Sequence, residues 1–543
     1  MKKIFTLLSL TFLLGILNYG CRNPAYQLNV LFDGDVIKYK TTIMLVEADG
    51  AALPANLKVA VSGQDAANVY DFAGLKAITA PNGVITLGID PKIEPTATRP
   101  LQFNVQVTAD NYEPRNIPVT ILPNQFSQIL RAAMLKVISN TPASAVKTVE
   151  VGLTGGATTA PVSLVTPATG TVTEVTSISI PAGTSFRNAA GELLSGGTLT
   201  ARAINFDAGN PAALDMFPGA DLSSPNVKGP DGQVGSAFFV PAGFTDIDMF
   251  VGGQEVKTFS QDINVGIQIN PDFQPVGTTE DVKVGDKLVV YSYQNSTGQW
   301  QYEKEVTVTR DASQKLAVAF ATNHLTVFCV GNVVSTRNCA PSTFTFTAPW
   351  LGSSTLTTAV QLFRMDGETL LDEETVIVSD GRVVPVTGLP PFAVRYKVLN
   401  ASTRNVLAEG TINSACNGGN IGITLGQPGQ PVQQVTLTLV VSCPGVGPIV
   451  PPSFTLFYKP AGAPASQYKL LGEVQKGMLK TVMLTVGSSY DFRANWGNQT
   501  KTVNNKTITS LDLSTAVGEE FDFFGTNTPQ YNRSLLIEAC KNR

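Results

Sequence analysis

The chain has 543 residues, 43% of them hydrophobic and only 15% charged, with a formal net charge of −4 and a single histidine. That length and apolar content call for several packed domains. The mild acidity, with no run of lysine or arginine, leaves no electrostatic footprint for nucleic acid or for an anionic lipid surface.

The N-terminus carries Lys2 and Lys3, an apolar run from Ile4 to Leu17, and then Gly20 and Cys21. A run this short and lightly flanked does not hold a membrane span, and residues 1–20 read as a signal peptide. A cysteine directly after a small residue resembles the bacterial lipoprotein signal, although Asn18 stands where that signal prefers leucine. The resemblance implies that Cys21 is acylated and becomes the new N-terminus. The membrane is then a partner through the acyl chains, each buried methylene contributing about 0.8 kcal/mol. The next residues, RNPAY, lack the acidic cluster that resembles a surface-export tag in Bacteroidetes-like lipoproteins. The implied location is the outer membrane, facing the periplasm or the cell surface.

Beyond the leader, 48 glycines and 34 prolines punctuate short alternating runs such as TLTARAI, KLVVYSY, EVTVTR and VTLTLVV. Period-two alternation between turn residues predicts an all-β chain of tandem antiparallel β-sandwiches. Residues 22–140 form a first, immunoglobulin-like sandwich, with strands in YQLNVLF, YKTTIMLV, LKVAVSG, GVITLGI, LQFNVQVTA and IPVTIL. NQFSQILRAAMLKV, from Asn124 to Val137, reads as its closing strand, and ISNTPASAVKT as a linker. A larger unit covers 143–332, and VVSTRNCAPS reads as the second linker.

The remainder is an internal repeat, 336–426 and 433–543, with copies of about a hundred residues, a normal sandwich size. TFTFTAPW, AVQLFRMDG and RVVPVTGLPPFAVRYKV are echoed by TLTLVVSC, SFTLFYKPAG and KTVMLTVGSSYDFRANW. GQPGQPVQQ, from Gly426 to Gln434, has the composition of a flexible joint between them.

Six cysteines occur, none in a CxxC pair, and one histidine cannot complete a Cys/His zinc site. An exported chain can oxidise its thiols. Cys339 with Cys416 and Cys443 with Cys540 would each bracket one repeat. Loops of this length are worth roughly 4 kcal/mol in the chain-entropy model. Cys329, inside an apolar strand, reads as a buried free thiol.

The lone histidine lies in ATNHLTVFCVG, from Ala321 to Gly331. Upstream, KLVVYSYQNSTGQWQYEKEVTVTR supplies an alternating strand, a Gly-x-Trp turn at Gly298 to Trp300 and a further strand. This order resembles the GAIN self-cleavage domain of adhesion receptors and polycystin-like proteins, which closes with His-Leu-Ser/Thr before an apolar strand. It also resembles the related sandwich domain of ankyrins and netrin receptors, whose Ile-Pro-Ala-Gly strand entry is echoed by SISIPAGTSF and FFVPAGFTDI. The receptors' bracing cysteine pairs are absent here. The resemblance implies Thr326 as nucleophile toward the Leu325 carbonyl, with His324 as its base. A threonine hydroxyl needs such a base, and neutral imidazole suits physiological pH. The alternative is structural: His-x-Thr-x-Phe-x-Val is also the face of a half-buried strand with His324 as a hydrogen-bonded anchor.

Conventional catalysis has no foothold: no GxSxG, Walker-type loop or GxGxxG appears. Asp246/Asp248 and Glu373/Glu374 read as solvated faces, and GPDGQ at Gly229 to Gln233 lacks the acid density of a calcium loop. Neither a cofactor nor a metal is expected. The sequence reads as a lipid-anchored, non-enzymatic scaffold, adhesion or protein-interaction protein, with at most one self-cut at Leu325–Thr326. The alternative is a carbohydrate-binding outer-membrane lipoprotein assisting glycan uptake, with Trp350 or Trp496 as stacking platforms.

Overall fold

The computed structural model describes residues 36–517 apart from 138–140, 142, 220, 367–368, 415, 430–431, 444–446 and 450–452. Cys21, Cys540 and the side chain of Cys443 fall outside the described residues, and with them the lipidation site and the second disulfide.

The chain is all-β, built of two-sheet sandwiches in tandem. The first unit has seven strands: Lys40–Glu47, Lys58–Ser62, Val69–Tyr70, Val84–Ile89, Leu101–Thr108, Arg115–Ile121 and Ser127–Met134. Its first strand pairs antiparallel with the fourth and parallel with the seventh, and the second, fifth and sixth make the facing sheet. Alternation does the folding: Leu101, Phe103, Val105 and Val107 all point into the core, while the residues between them face outward.

The unit from Ala340 to Thr424 repeats this plan. Its first strand, Ala340–Thr347, pairs antiparallel with the fourth, Val383–Val386, and parallel with the last, Asn417–Thr424. The unit from Val435 to Val517 does the same with Val435–Cys443, Met478–Thr481 and Asp512–Val517. The three small sandwiches thus share the antiparallel and parallel partners of their first strand. Elsewhere they differ: Val69–Tyr70 pairs with Val84–Ile89 in the first unit, whereas Leu370–Val378 pairs with Leu356–Phe363 in the third and Lys469–Val474 with Phe454–Pro460 in the fourth. The parallel first-to-last pairing closes each sandwich and departs from a purely antiparallel plan, because hairpins cannot produce it.

The large unit, Ser144 to Ser335, stacks a six-stranded sheet on a nine-stranded one. Trp300, on the nine-stranded sheet, has no solvent exposure, its ring 4.8–5.1 Å from those of Phe217, Phe239 and Tyr293. SISIPAGTSF does end a strand, Thr176–Ile180. FFVPAGFTDI instead lies inside the 18-residue strand Val234–Val251, where the pairing register shifts between Pro241 and Gly243. Proline lacks a ladder donor, and such a bulge accommodates it.

The four units do not string out. Arg115 reaches into the large unit, donating to the Met216 carbonyl at 2.6 Å and to that of Asp215. Thr42 meets Thr455 at 2.9 Å, and Asn495 donates to the Pro81 carbonyl at 3.0 Å, joining the first unit to the last. Val84, Ile377, Phe457 and Leu470 form a small apolar cluster shared by the first, third and fourth units. The third and fourth units meet through the Thr355 amide on the Lys480 carbonyl at 2.7 Å and through Tyr458 on Ser402 at 3.1 Å. The joint at Gly426–Gln434 is therefore bridged on both sides by contacts between the units it separates.

Candidate functional site

Strand Leu316–His324 belongs to the six-stranded sheet, and strand Val327–Ser335 lies in the nine-stranded sheet between Lys287–Gln294 and Val234–Val251. The chain therefore crosses from one sheet to the other within Leu325 and Thr326. That abrupt crossing ends the simple alternation that would put His324 and Thr326 on one face.

The two side chains go separate ways. His324 Nε2 lies 3.4 Å from Glu303 Oε1, and Nδ1 lies 3.2 Å from Thr322 Oγ1 and 3.4 Å from Asn323 Oδ1. Its ring packs 5.6 Å from that of Phe328. Because Glu303 belongs to Gln299–Thr307 of the opposite sheet, the imidazole ties the two sheets together beside the crossing. The Thr326 hydroxyl donates to the Tyr293 carbonyl, and the Thr326 carbonyl accepts from the Ile247 amide at 3.3 Å. Leu325 packs on the core, and neither it nor Thr326 has a positive φ. The structure thus brings His324 to Glu303 rather than to Thr326, and it directs the hydroxyl at Tyr293 rather than at the Leu325 carbonyl.

Glu303 is the residue that sequence reading missed. Burial pushes its carboxyl up, but the bonds from His324 and from Ser292, at 2.6 Å, outweigh burial and hold it below the usual carboxylate range. Nothing in EKE distinguishes it from its neighbours; only the pairing across the sheets does.

The remaining sequence-derived residues separate clearly. Cys339 and Cys416 are joined in a disulfide spanning 77 residues. Cys329 is a free thiol, 2% exposed and pushed far up by burial. Asp231 of GPDGQ is taken by Arg337 in a two-pronged ion pair at 2.6 and 3.1 Å. Trp350 is half-buried and donates its indole N–H to the Leu425 carbonyl at 3.0 Å, while the Trp496 side chain falls outside the described residues.

Two readings are corrected. Asp246 and Asp248 are not a solvated pair: Asp246 is 8% exposed and Asp248 pairs with Arg202 against the first unit. Glu374 lines a cavity between units, and only Glu373 faces outward, to Arg404. Alternation along one strand cannot reveal that a second unit covers its outer face.

No protein-family model matches the chain, and no curated protein matches it. Among solved structures it is similar to a streptococcal ancillary pilin, at 8% identity over 46% of this chain and 94% of that one, with a TM-score of 0.14. It is also similar to a minor pilin of Streptococcus agalactiae (10% identity, 35% and 98% of the two chains, TM-score 0.13). A third likeness is to the major pilin subunit of Bacillus cereus (7% identity, 88% and 98%, TM-score 0.13). TM-scores this low define neither domain order nor chemistry, which rest on the chain's own pairings and contacts. No helix among the described residues is long and apolar enough to cross a membrane.

Proposed function

We propose that this chain is a non-enzymatic structural or adhesion protein of the bacterial cell envelope. Acyl chains on Cys21 tether it to the outer membrane, and its packed sandwiches present one composite surface to a partner. The observation that carries this reading is the mutual locking of units distant in sequence, above all Thr42 on Thr455, 413 residues apart. Sandwiches joined only by flexible linkers would sample many arrangements. Units that bond to one another across 400 residues of chain offer a fixed surface, which is what a scaffold or an adhesin needs.

The carbohydrate reading draws less support, because Trp350 turns its N–H inward to a carbonyl and is only half open to solvent. Self-cleavage would require Thr326 to leave the Tyr293 carbonyl and His324 to leave Glu303; the geometry supports structural use of both.

The test is metabolic labelling with an alkynyl fatty acid in a bacterial host. Label on the wild type, lost in Cys21→Ser together with membrane association, is expected. Label-free, soluble wild-type protein would remove the anchor from this reading. Retention of the purified chain on polysaccharide columns, with no protein captured by cross-linking on whole cells, would favour the glycan alternative.

A further inference from the structure

Glu113 lies between the strands Leu101–Thr108 and Arg115–Ile121 of the first unit, at its seam with the large unit. Across the seam, Arg202 and Asp248 sit opposite each other on paired strands, as do Ile204 and Asp246. One terminal nitrogen of Arg202 donates to both Glu113 and Asp248, and the three side chains are only 14–20% exposed. Asp246, two residues along the same strand face, is 8% exposed. Its carboxylate takes a hydrogen bond from the Ile247 backbone, which does not offset its burial. It lines, with Glu113, Arg115 and Tyr293, a cavity of about 40 Å³.

The carboxylate oxygens of Glu113, Asp246 and Asp248 lie within 4.8 Å of one another. Three carboxylates therefore share one guanidinium in a half-dry seam. The other charged groups nearby are committed elsewhere: Arg115 donates to the Asp215 and Met216 carbonyls, and Asp215 pairs with Arg131. Tyr293 stays neutral, its hydroxyl pushed up to about 12 by burial.

We propose that Glu113 and Asp248, bridged by Arg202, form with the adjacent Asp246 a proton-operated latch between the first unit and the large unit. With protons on Glu113 and Asp246, one carboxylate faces one guanidinium and the charges in the seam balance. When those protons leave to solvent, three negative charges face one positive charge and the seam loosens. Arg202 already occupies the position between the carboxylates, so a proton rather than a metal ion balances the excess charge. Burial first, and Asp248 second, push Glu113 up to about 7; burial, then Asp248, then Glu113 push Asp246 well above the usual range. Raised carboxyls stabilise below their ordinary pKa and lose that contribution as pH rises through the folded value, so the latch opens near pH 7 and above.

The test is amide hydrogen exchange on the full chain from pH 5.5 to 8.5, corrected for intrinsic rate. The reporter is the Ala133 amide, which crosses the seam to the Asp215 carbonyl at 3.4 Å. Protection there should fall about tenfold or more with a midpoint near 7, while strand Thr258–Gln268, away from the seam, stays flat. Glu113→Gln, which keeps the shape but cannot ionise, should hold the low-pH protection throughout; Asp246→Asn serves if that variant folds poorly. Protection independent of pH in the wild type, or an equal fall in both variants, would overturn the latch. So would full restoration at pH 8 by millimolar calcium, since that outcome makes the cluster a cation site.

Discussion

His324 shows how much a single residue's role depends on what faces it. Its imidazole holds a half-buried carboxylate, and hydrogen bonds to charged groups contribute about 1.5–3 kcal/mol. Burial pushes Glu303 up, but His324 first, then Ser292 and the nearby Lys304 charge, hold it below its ordinary value. A depressed carboxyl stabilises above its unfolded pKa and loses that contribution as pH falls through the folded one. His324→Ala should therefore lower the denaturant midpoint at pH 7 by the equivalent of about 1–2 kcal/mol, with the difference from wild type shrinking below pH of about 4. An equal deficit at pH 7 and pH 3.5 would sever the link to Glu303. Thr326→Ala should cost about 1 kcal/mol by removing the hydroxyl's bond to the Tyr293 carbonyl, and it should leave the gel pattern unchanged at one full-length band. Two wild-type fragments meeting at Leu325–Thr326 would mean that the crossing rearranges in solution. ATNHLTVFCVG displays the histidine, the hydroxyl and the apolar strand after them, but not their separation. That depends on the two-residue jump between sheets, and a peptide of this composition could equally run straight.

At the scale of strands, the backbone is tightest where the long strand Val234–Val251 bulges at Pro241. A Cβ on Gly331 would lie 2.2 Å from the Val240 carbonyl oxygen and 2.9 Å from the Ala242 nitrogen. Those are backbone atoms in a paired ladder, with no rotamer to relieve them. Gly331→Ala should cost about 1–3 kcal/mol or more by overpacking, read as a lower midpoint for the large unit. The alternating runs were legible as strands, since one inward face leaves a period-two pattern. The small repeats were legible through matching Thr-rich and Leu-Phe strands. The parallel pairing of first and last strands was not, because it joins segments some 80 residues apart that share no local signal. The Cys339–Cys416 bridge lies beside that pairing in the third unit, where the Ala340 amide donates to the Cys416 carbonyl at 3.0 Å. Replacing both cysteines by serine should cost roughly 4 kcal/mol on the chain-entropy account. Proteolysis of that unit should quicken accordingly, and unchanged protease resistance would show that packing alone holds the unit closed.

For the whole molecule, the decisive feature is that the sandwiches pack side by side, which composition could not reveal: proline-rich joints look the same whether or not the units they separate touch. Where the first three units meet, Asp221, Asp372 and Glu374 line a cavity of about 360 Å³. Arg131 lines it too but pairs with Asp215, and Arg404 pairs with Glu373, so neither neutralises the three. Burial pushes Asp221 up to about 6. Burial and then Asp221 push Glu374 up to about 7 and Asp372 well above the usual range. Each raised carboxyl favours the packed state most below its ordinary pKa and loses that advantage as pH rises through the folded value. The midpoint of the first thermal transition should therefore be highest near pH 5 and fall by pH 8, on the order of 5 °C for a chain of this size. Asp372→Asn and Glu374→Gln together should flatten that fall while leaving the Ala133 amide titrating as in wild type, because that amide reports the Glu113 seam. If the melting midpoint rose with pH instead, the cavity carboxylates would be paired or solvated in solution, and the junction of the three units would have to be looser than their contacts imply.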